Sequence, residues 1–268
     1  MSFLLAVLAG LVLGFFLGAL GGGGSILAVP VLAYLLGQPP LQATTGALVI
    51  VGVSASMGAV SAHRDGRVKL VRGTVFGVVG VIGAAVGSSL STRVNPDLLM
   101  AVFALLVLVV AGVMIWRQRH PLVRADDVDA PLFQIHPRFQ VDAPRLGKVV
   151  VAGLVVGLLT GFLGVGGGFL VVPALVLALG LQMADAVGTS LLVIAFNSAA
   201  AFVVRMLHGV DLDWPILIQL TGVAMMGSLV GSRVASRYDQ KKLTRGFIAL
   251  LVVVALYTAA RSWPAVLG

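Results

Sequence analysis

The feature that most constrains this chain is a series of ten apolar runs separated by short loops that hold most of the charge. The runs cover residues 3–20, 25–37, 43–62, 70–91, 97–116, 148–164, 168–180, 186–206, 214–235 and 243–261. A bilayer core of about 30 Å needs about 20 helical residues. A soluble domain carries about 25% charged residues, whereas this chain has 10%. It is therefore predicted to be an all-α polytopic membrane protein with about eight to ten crossings.

A polar linker separates the runs into two sets of five. Residues 117–147 hold four prolines together with four of the ten acidic side chains and five arginines, a composition typical of solvated loops. The predicted organisation is a first transmembrane repeat at 1–116, a cytoplasmic linker at 117–147 and a second transmembrane repeat at 148–268.

The two halves are copies of one sequence. At an offset of 143, positions 10–37 match positions 153–180 at 15 of 28 places, and a one-residue shift aligns Gly83 with Gly227. A repeat of this size is typical of secondary transporters and too long for a solenoid. Five crossings per half would invert the second copy relative to the first.

Positive charge predicts the orientation. Fifteen of the 18 Lys and Arg residues lie in three stretches, 63–72, 117–148 and 233–245. Ten crossings bring these stretches to one side, which the excess of positive charge assigns to the cytoplasm. Re-entrant second segments would instead bring Asp211 and Asp213 to the same side, so ten crossings are preferred.

Each half carries a glycine-rich run between its first and second segments. The runs are Gly21, Gly22, Gly23, Gly24 and Ser25 in the first half, and Gly164, Val165, Gly166, Gly167 and Gly168 in the second. Each glycine costs a helix about 1 kcal/mol relative to alanine, so both helices are expected to break. The broken ends could form tight turns or present amide groups to an anion near the membrane midplane. Their presence in both halves favours anion binding.

Hydroxyl and amide groups on the third segments extend the candidate substrate site. Thr44 and Thr45 begin this segment in the first half, and alignment of Thr45 with Thr189 places Ser190 beside them in the second. Such hydroxyls cap helices or donate to a ligand. Asn197 lies two turns further on, where a membrane asparagine can bind substrate or join neighbouring helices.

Charged and metal-binding groups are sparse within the runs. Asp185 stands just before a segment, with helix capping as its ordinary role and proton coupling as the alternative. No Asp, Glu, Lys or Arg falls near the centre of a run, so no buried counter-charge for a substrate is expected. His63 and His208 lack a second ligand at metal spacing, and neither a metal nor a cofactor is predicted.

Several function classes are disfavoured by the same sequence. The chain has no cysteine, which excludes disulfides and thiol chemistry. Its net charge of +8 lies in loops and not on a basic face interleaved with aromatic residues, so a nucleic-acid partner is not expected. Paired carboxylates, a nucleotide-binding loop and a plausible Ser/His/Asp arrangement are absent from the sequence, and the chain is not predicted to be an enzyme.

The paired glycine runs, each followed by a proline, resemble the sulfite exporter TauE/SafE family. Pro30 and Pro173 follow the two runs, and the stretch Gly188, Thr189, Ser190 and Leu191 adds to the resemblance, which covers about residues 5–260. The resemblance implies a multi-pass transporter in a bacterial or archaeal inner membrane that moves sulfite or organosulfonates such as sulfoacetate. The expected partners are a small anionic substrate and the lipid bilayer.

The sequence leaves several properties of such a transporter open. An uncoupled anion channel and, less well supported, a membrane-embedded enzyme are the alternative functions. Which sulfur anion is moved, in which direction, and with a coupling proton or sodium ion are not specified by these motifs, nor is the oligomeric state.

Overall fold

The computed structural model describes residues 3–91, 96–119, 133–134, 140–141, 143–163, 168–207, 210–237 and 239–267. Within these residues there are ten α-helices, one for each apolar run, which confirms the all-α polytopic prediction. Their bounds are α1 Phe3–Leu20, α2 Ser25–Pro30, α3 Pro40–Arg64, α4 Leu70–Ser91, α5 Pro96–Arg119, α6 Ala143–Leu163, α7 Gly168–Leu177, α8 Met183–Leu207, α9 Trp214–Arg237 and α10 Gln240–Leu267.

The second element of each half is short, as predicted. A 3-10 turn at Gly21–Gly24 precedes α2, and a π-helical turn at Val31–Leu35 extends it. In the second half, α7 has 10 residues and reaches only about 15 Å. In the first half the helix therefore breaks at the glycine-rich run, because glycine forfeits helical propensity there. In the second half, α6 ends at Leu163 and α7 begins at Gly168.

Four of the described helices are long and apolar enough to cross a membrane. These spans are Gln42–Arg64, Leu70–Gly87, Met183–Leu207 and Trp214–Ala235. Shorter apolar helices cover Val7–Leu20, Leu105–Trp116, Leu146–Phe162 and Gly168–Leu177. Large apolar side chains on several of these helices are exposed, among them Ile82 and Ile218, as expected for surfaces that face lipid.

Two of the helix–helix interfaces that join the halves are built in the same way. α1 packs along α9 and α6 packs along α4, with glycines at every fourth position. The contacting pairs advance in parallel: Gly10 with Leu220, Gly14 with Ala224 and Gly18 with Ser228; Gly153 with Phe76, Gly157 with Gly80 and Gly161 with Ala84. A Cβ at Gly14 or Gly157 would overlap the backbone of the facing helix. The absent side chains let these backbones touch.

α3 and α8, the third helices of the two halves, run antiparallel to each other. Their contacts join Thr45 with Arg205, Gly52 with Ser198 and Gly58 with Leu191. Equivalent helices that pack antiparallel, flanked by two equivalent interfaces, are what two copies related by a two-fold axis produce. The inversion of the copies relative to a membrane stays a prediction.

The structure corrects the alignment of the third segments by one residue. α3 and α8 each have 25 residues and begin at Pro40 and Met183, an offset of 143. The buried and exposed positions agree at this offset, since exposed Val53 matches exposed Phe196. Thr189 therefore corresponds to Gly46 and not to Thr45. The inserted residue lies in the loop after α8, beyond the point where the sequence alignment placed the shift.

The linker is described only in part. Phe133–Gln134 pairs antiparallel with Gln140–Val141 as β1 and β2. α5 extends to Arg119 and α6 begins at Ala143, so helices occupy both edges of the stretch predicted to be linker.

Candidate functional site

The two glycine-rich regions meet inside the protein. Gly21 adopts a φ of 61°, a left-handed conformation that favours glycine, and it turns the chain from α1 into the 3-10 turn. Gly22 lies against Gly168, the first residue of α7, so closely that a Cβ on Gly22 would overlap the Gly168 carbonyl. We call this contact the glycine junction. Gly164, Gly166 and Gly167 lie outside the described residues. The contacts around Gly23 are likewise not described.

The two serines beside the glycine junction bond within their own helical segments. Ser25 Oγ donates to the Gly22 carbonyl at 2.6 Å, and Ser190 Oγ donates to the Val187 carbonyl at 2.8 Å. Both residues are fully buried. A Cβ on Gly168 would approach Ser25 Oγ within 2.7 Å, so the predicted residues Ser25, Ser190 and Gly168 do come together. Their hydroxyl hydrogens are used locally.

A cavity lies between α3, α4, α6 and α8, next to this junction. Its volume is about 50 Å³, and a single water needs about 10–15 Å³ by the same measure. The cavity therefore accommodates a few waters or one small anion. It is lined by Leu48, Val81, Ala84, Ala85, Thr160, Gly161, Asn197, Ser198, Ala200, Ala201, Val204 and Arg205.

Three buried polar side chains in the cavity wall have no hydrogen-bond partner in the described part of the chain. The atoms are Thr160 Oγ1, Asn197 Oδ1 and Ser198 Oγ. Leaving a buried polar group unpaired costs about 1–3 kcal/mol. Three such groups in the wall of one cavity indicate a site that a polar ligand would complete. Asn197 was predicted as a site residue, whereas Thr160 and Ser198 were not.

Arg205 brings a positive charge to the cavity wall. It is partly buried near the end of α8, and its Nη1 donates to Thr44 Oγ1 at 2.6 Å and to Thr45 Oγ1 at 3.2 Å. The structure therefore brings one partly buried cation to the cavity wall, where the sequence led us to expect none. Arg205 lies outside the centre of its run, but its long side chain reaches inward to α3. The sequence did carry a signal for Arg205, because it is one of only three basic residues that lie outside the three basic stretches.

Thr189 and Asp185 lie toward the other end of α8, beside the loop that joins α3 to α4. The backbone N–H of Lys69 donates to Thr189 Oγ1 at 3.0 Å, and Lys69 Nζ lies 3.3 Å from Asp185 Oδ2. Asp185 is the third residue of α8 and not the residue that caps it. Its negative charge in the first turn still suits the helix dipole.

The glycine junction and the cavity are neighbours along α8. A Cβ on Gly168 would lie 2.8 Å from Ile194 Cδ1, and Asn197 follows Ile194 by three residues, about 4.5 Å along the helix. The described residues of the predicted site thus fall into four groups. Asn197 lines the cavity, Thr44 and Thr45 bind its arginine, and the glycine junction lies one turn away. Thr189 and Asp185 contact Lys69 at the other end of α8.

Comparison with known proteins agrees with this architecture. The model of the family "Sulfite exporter TauE/SafE" matches residues 6–258. A "Probable membrane transporter protein" of Xylella fastidiosa (strain 9a5c) is 32% identical over 266 residues, covering 98% of this chain and 97% of the relative. The "Probable membrane transporter protein YdhB" of Bacillus subtilis (strain 168) is 25% identical, covering 99% and 98%. No solved structure matches significantly.

The match to the family model runs through both glycine-rich runs, both interfaces between the halves and the whole cavity. The polytopic helical fold and the transporter relatives lead to the same conclusion. The chain is a membrane transporter that belongs to the sulfite exporter TauE/SafE family.

Proposed function

We propose that this transporter moves small sulfur-containing oxyanions, either sulfite or organosulfonates such as sulfoacetate, across a bacterial or archaeal cytoplasmic (inner) membrane. The observation that carries the proposal is the cavity whose wall contains Arg205 and three polar side chains, Thr160, Asn197 and Ser198, each with an atom that has no partner among the described residues. Family membership supports the transport function, and the donors in the wall support an oxyanion as the cargo.

The chemistry of the wall suits a pyramidal or tetrahedral anion. Such an anion offers several oxygens, and the Thr160 and Ser198 hydroxyls and the Asn197 Nδ2 group can each donate one hydrogen bond. The Asn197 Oδ1 atom is an acceptor and does not contact the anion in this arrangement. Hydrogen bonds to charged groups contribute about 1.5–3 kcal/mol each. Three of them offset much of the cost of removing the anion from water, and the Arg205 charge offsets more.

The glycine-rich runs contribute to the same cycle in this proposal. Amide groups at Gly21–Gly24, Gly164 and Gly166–Gly168 would complete the coordination near the midplane when the halves move. The backbone contact between Gly22 and Gly168 lets one half slide on the other without side chains in the way. An inverted arrangement of the halves, as predicted from the sequence, would then give alternating access around one site.

Flux measurements in proteoliposomes test the proposed function. Purified protein is screened with sulfite, sulfoacetate, taurine and thiosulfate under imposed pH and sodium gradients. We expect saturable flux of at least one sulfur oxyanion, and a response to one gradient would identify the coupling ion. Flux that does not saturate would indicate an uncoupled channel, chemical turnover would indicate an enzyme, and the absence of all flux would contradict the proposal.

A further inference from the structure

We infer that Arg205 makes the cavity selective for anions, acting as a capture group at the end of the cavity away from the linker. The inference deepens the proposed function and rests on it for the identity of the cargo. Of the twelve described residues that line the cavity, only Arg205 is charged. Nearby wall residues such as Ala201, Val204 and Leu48 are apolar, so the field in the cavity comes largely from this guanidinium.

The position of Arg205 gives the cavity two separate polar ends. Arg205 follows Ser198 by seven residues on α8, which is two helical turns or about 10.5 Å along the axis. Asn197 and Ser198 lie at the inner end, one turn from the glycine junction. An oxyanion entering from the outer end therefore meets the cation first and the neutral donors second.

The geometry of the guanidinium suits an anion ligand. Nη1 of Arg205 donates to the hydroxyl oxygens of both Thr44 and Thr45. The orientation of the planar guanidinium is thus fixed through one of its three nitrogens. Arginine carries five N–H donors in a fork that matches an oxyanion with two oxygens. A cationic solute is repelled by this fork and a neutral one gains hydrogen bonds without the charge attraction, so the favoured ligand class is a small oxyanion.

Charged thiol reagents test this inference without any assumed substrate. The chain has no cysteine, so Ala201→Cys places one thiol in the cavity wall. Its reaction rates with an anionic and a cationic methanethiosulfonate reagent are measured in purified protein, with and without Arg205→Gln. We expect Arg205→Gln to lower the anionic-to-cationic rate ratio at least about fivefold. Arg245→Gln, a change of an exposed arginine on α10, is the matched control and should leave the ratio unchanged.

A second variant separates anion capture from a tie between α3 and α8. The double change Thr44→Val, Thr45→Val removes both hydroxyl partners but keeps the charge, so the rate ratio should stay within about twofold of the parent. An unchanged ratio in Arg205→Gln, or an equal fall in the threonine variant, would overturn the inference. Failure of the proposed function would appear separately, as absent sulfur-anion flux with the rate ratio intact.

A different set of contacts points to a gate at the linker side of the molecule. Residues 65–69, here called the strap, connect α3 to α4 and bind the second half. Lys69 contacts both Asp185 and Thr189. Arg67 Nη2 donates to the Ser232 carbonyl at 3.1 Å, and the Arg67 carbonyl lies against Gly188.

The cavity lies toward the opposite ends of the same helices. α4 and α8 begin at the strap, but their cavity residues, from Val81 and Asn197 onward, lie in their second halves. As a gate, the strap would close a path from the cavity to the linker side. Arg67 of the strap is only 9% exposed. Its Nε and Nη1 atoms have no hydrogen-bond partner among the described residues. This incomplete pairing lowers the cost of opening the strap.

Labelling from the two sides of a membrane tests the gate. Ala201→Cys in oriented vesicles is exposed to an impermeant maleimide from the linker side, with and without Lys69→Asp. We expect Lys69→Asp to raise the labelling rate at least about threefold, because the Asp185 contact becomes repulsive, and Lys69→Asp with Asp185→Lys to restore the slow rate. Lys241→Asp on α10 serves as the matched control. An unchanged rate in Lys69→Asp, or no recovery in the swap, would contradict the gate.

Discussion

The third helices of the two halves share their length and burial pattern but carry different polar side chains. α3 and α8 have equal lengths and nearly the same pattern of buried and exposed positions. At the offset of 143, Asn197 on α8 corresponds to Ser54 on α3, and Arg205 corresponds to Ala62. The same offset pairs Thr160 on α6 with Leu17 on α1, which is fully buried.

The two copies therefore share the glycine contacts between helices but differ in the polar residues of the cavity. The glycine contacts that hold α1 to α9 and α4 to α6 are equivalent in both copies, because backbone contact tolerates no side chain. The polar groups of the cavity belong chiefly to the second copy. In the described chain the duplicated scaffold thus carries a cavity with an asymmetric wall, and Leu17 fills space at the position equivalent to Thr160.

The largest expected effect comes from breaking the equivalent interfaces. Gly14→Leu and Gly157→Leu each force a side chain into the backbone of a facing helix, which should cost more than about 4 kcal/mol and remove most folded protein. Size-exclusion profiles and thermal midpoints in detergent measure the loss. Gly222→Leu on α9, where a Cβ meets nothing within 4 Å, is the control and should fold. Tolerance of one change but not the other would show that the interfaces are not equivalent.

A smaller effect is expected at one cavity hydroxyl. Thr160→Val keeps the shape but removes a donor, so the KM for sulfite should rise about threefold to tenfold, equivalent to about 1 kcal/mol. Thr221→Val is the matched control, because Thr221 Oγ1 is also buried and unpartnered in the described chain but lies outside the cavity wall. Transport assays on both variants check the difference, and equal effects would argue against a specific role for Thr160.

The smallest effect is expected at Asp185. Asp185→Asn removes the contact with Lys69 and a favourable charge in the first turn of α8, at a cost of about 1 kcal/mol or less. Sulfite carries its own proton near neutral pH, so we expect the variant to retain pH-dependent sulfite flux. Uptake into liposomes against an imposed pH gradient measures this. Exchange that persists without any response to the gradient would make Asp185 the proton carrier.

The sequence predicted the helices and their breaks well because both depend on local composition. Ten apolar runs became ten helices in the described chain, and glycine content alone located the break after Leu20. The cavity depended on tertiary contacts that the sequence does not display. Arg205 lies near a segment end by position, and only the packing of α8 on α3 brings its guanidinium to Thr44. Thr160 became significant only because α6 packs on α4.

We propose that the oxyanion site is the cavity lined by Thr160, Asn197 and Ser198, and therefore belongs to the second copy. The most direct test is the saturation curve of labelled sulfite uptake into proteoliposomes for the parent, for Asn197→Leu and for Ser54→Leu at the equivalent position. We predict saturable uptake by the parent and by Ser54→Leu, and a loss of at least about tenfold in kcat/KM for Asn197→Leu, equivalent to about 1.4 kcal/mol. Equal losses in both folded variants, or normal uptake by Asn197→Leu, would contradict the account.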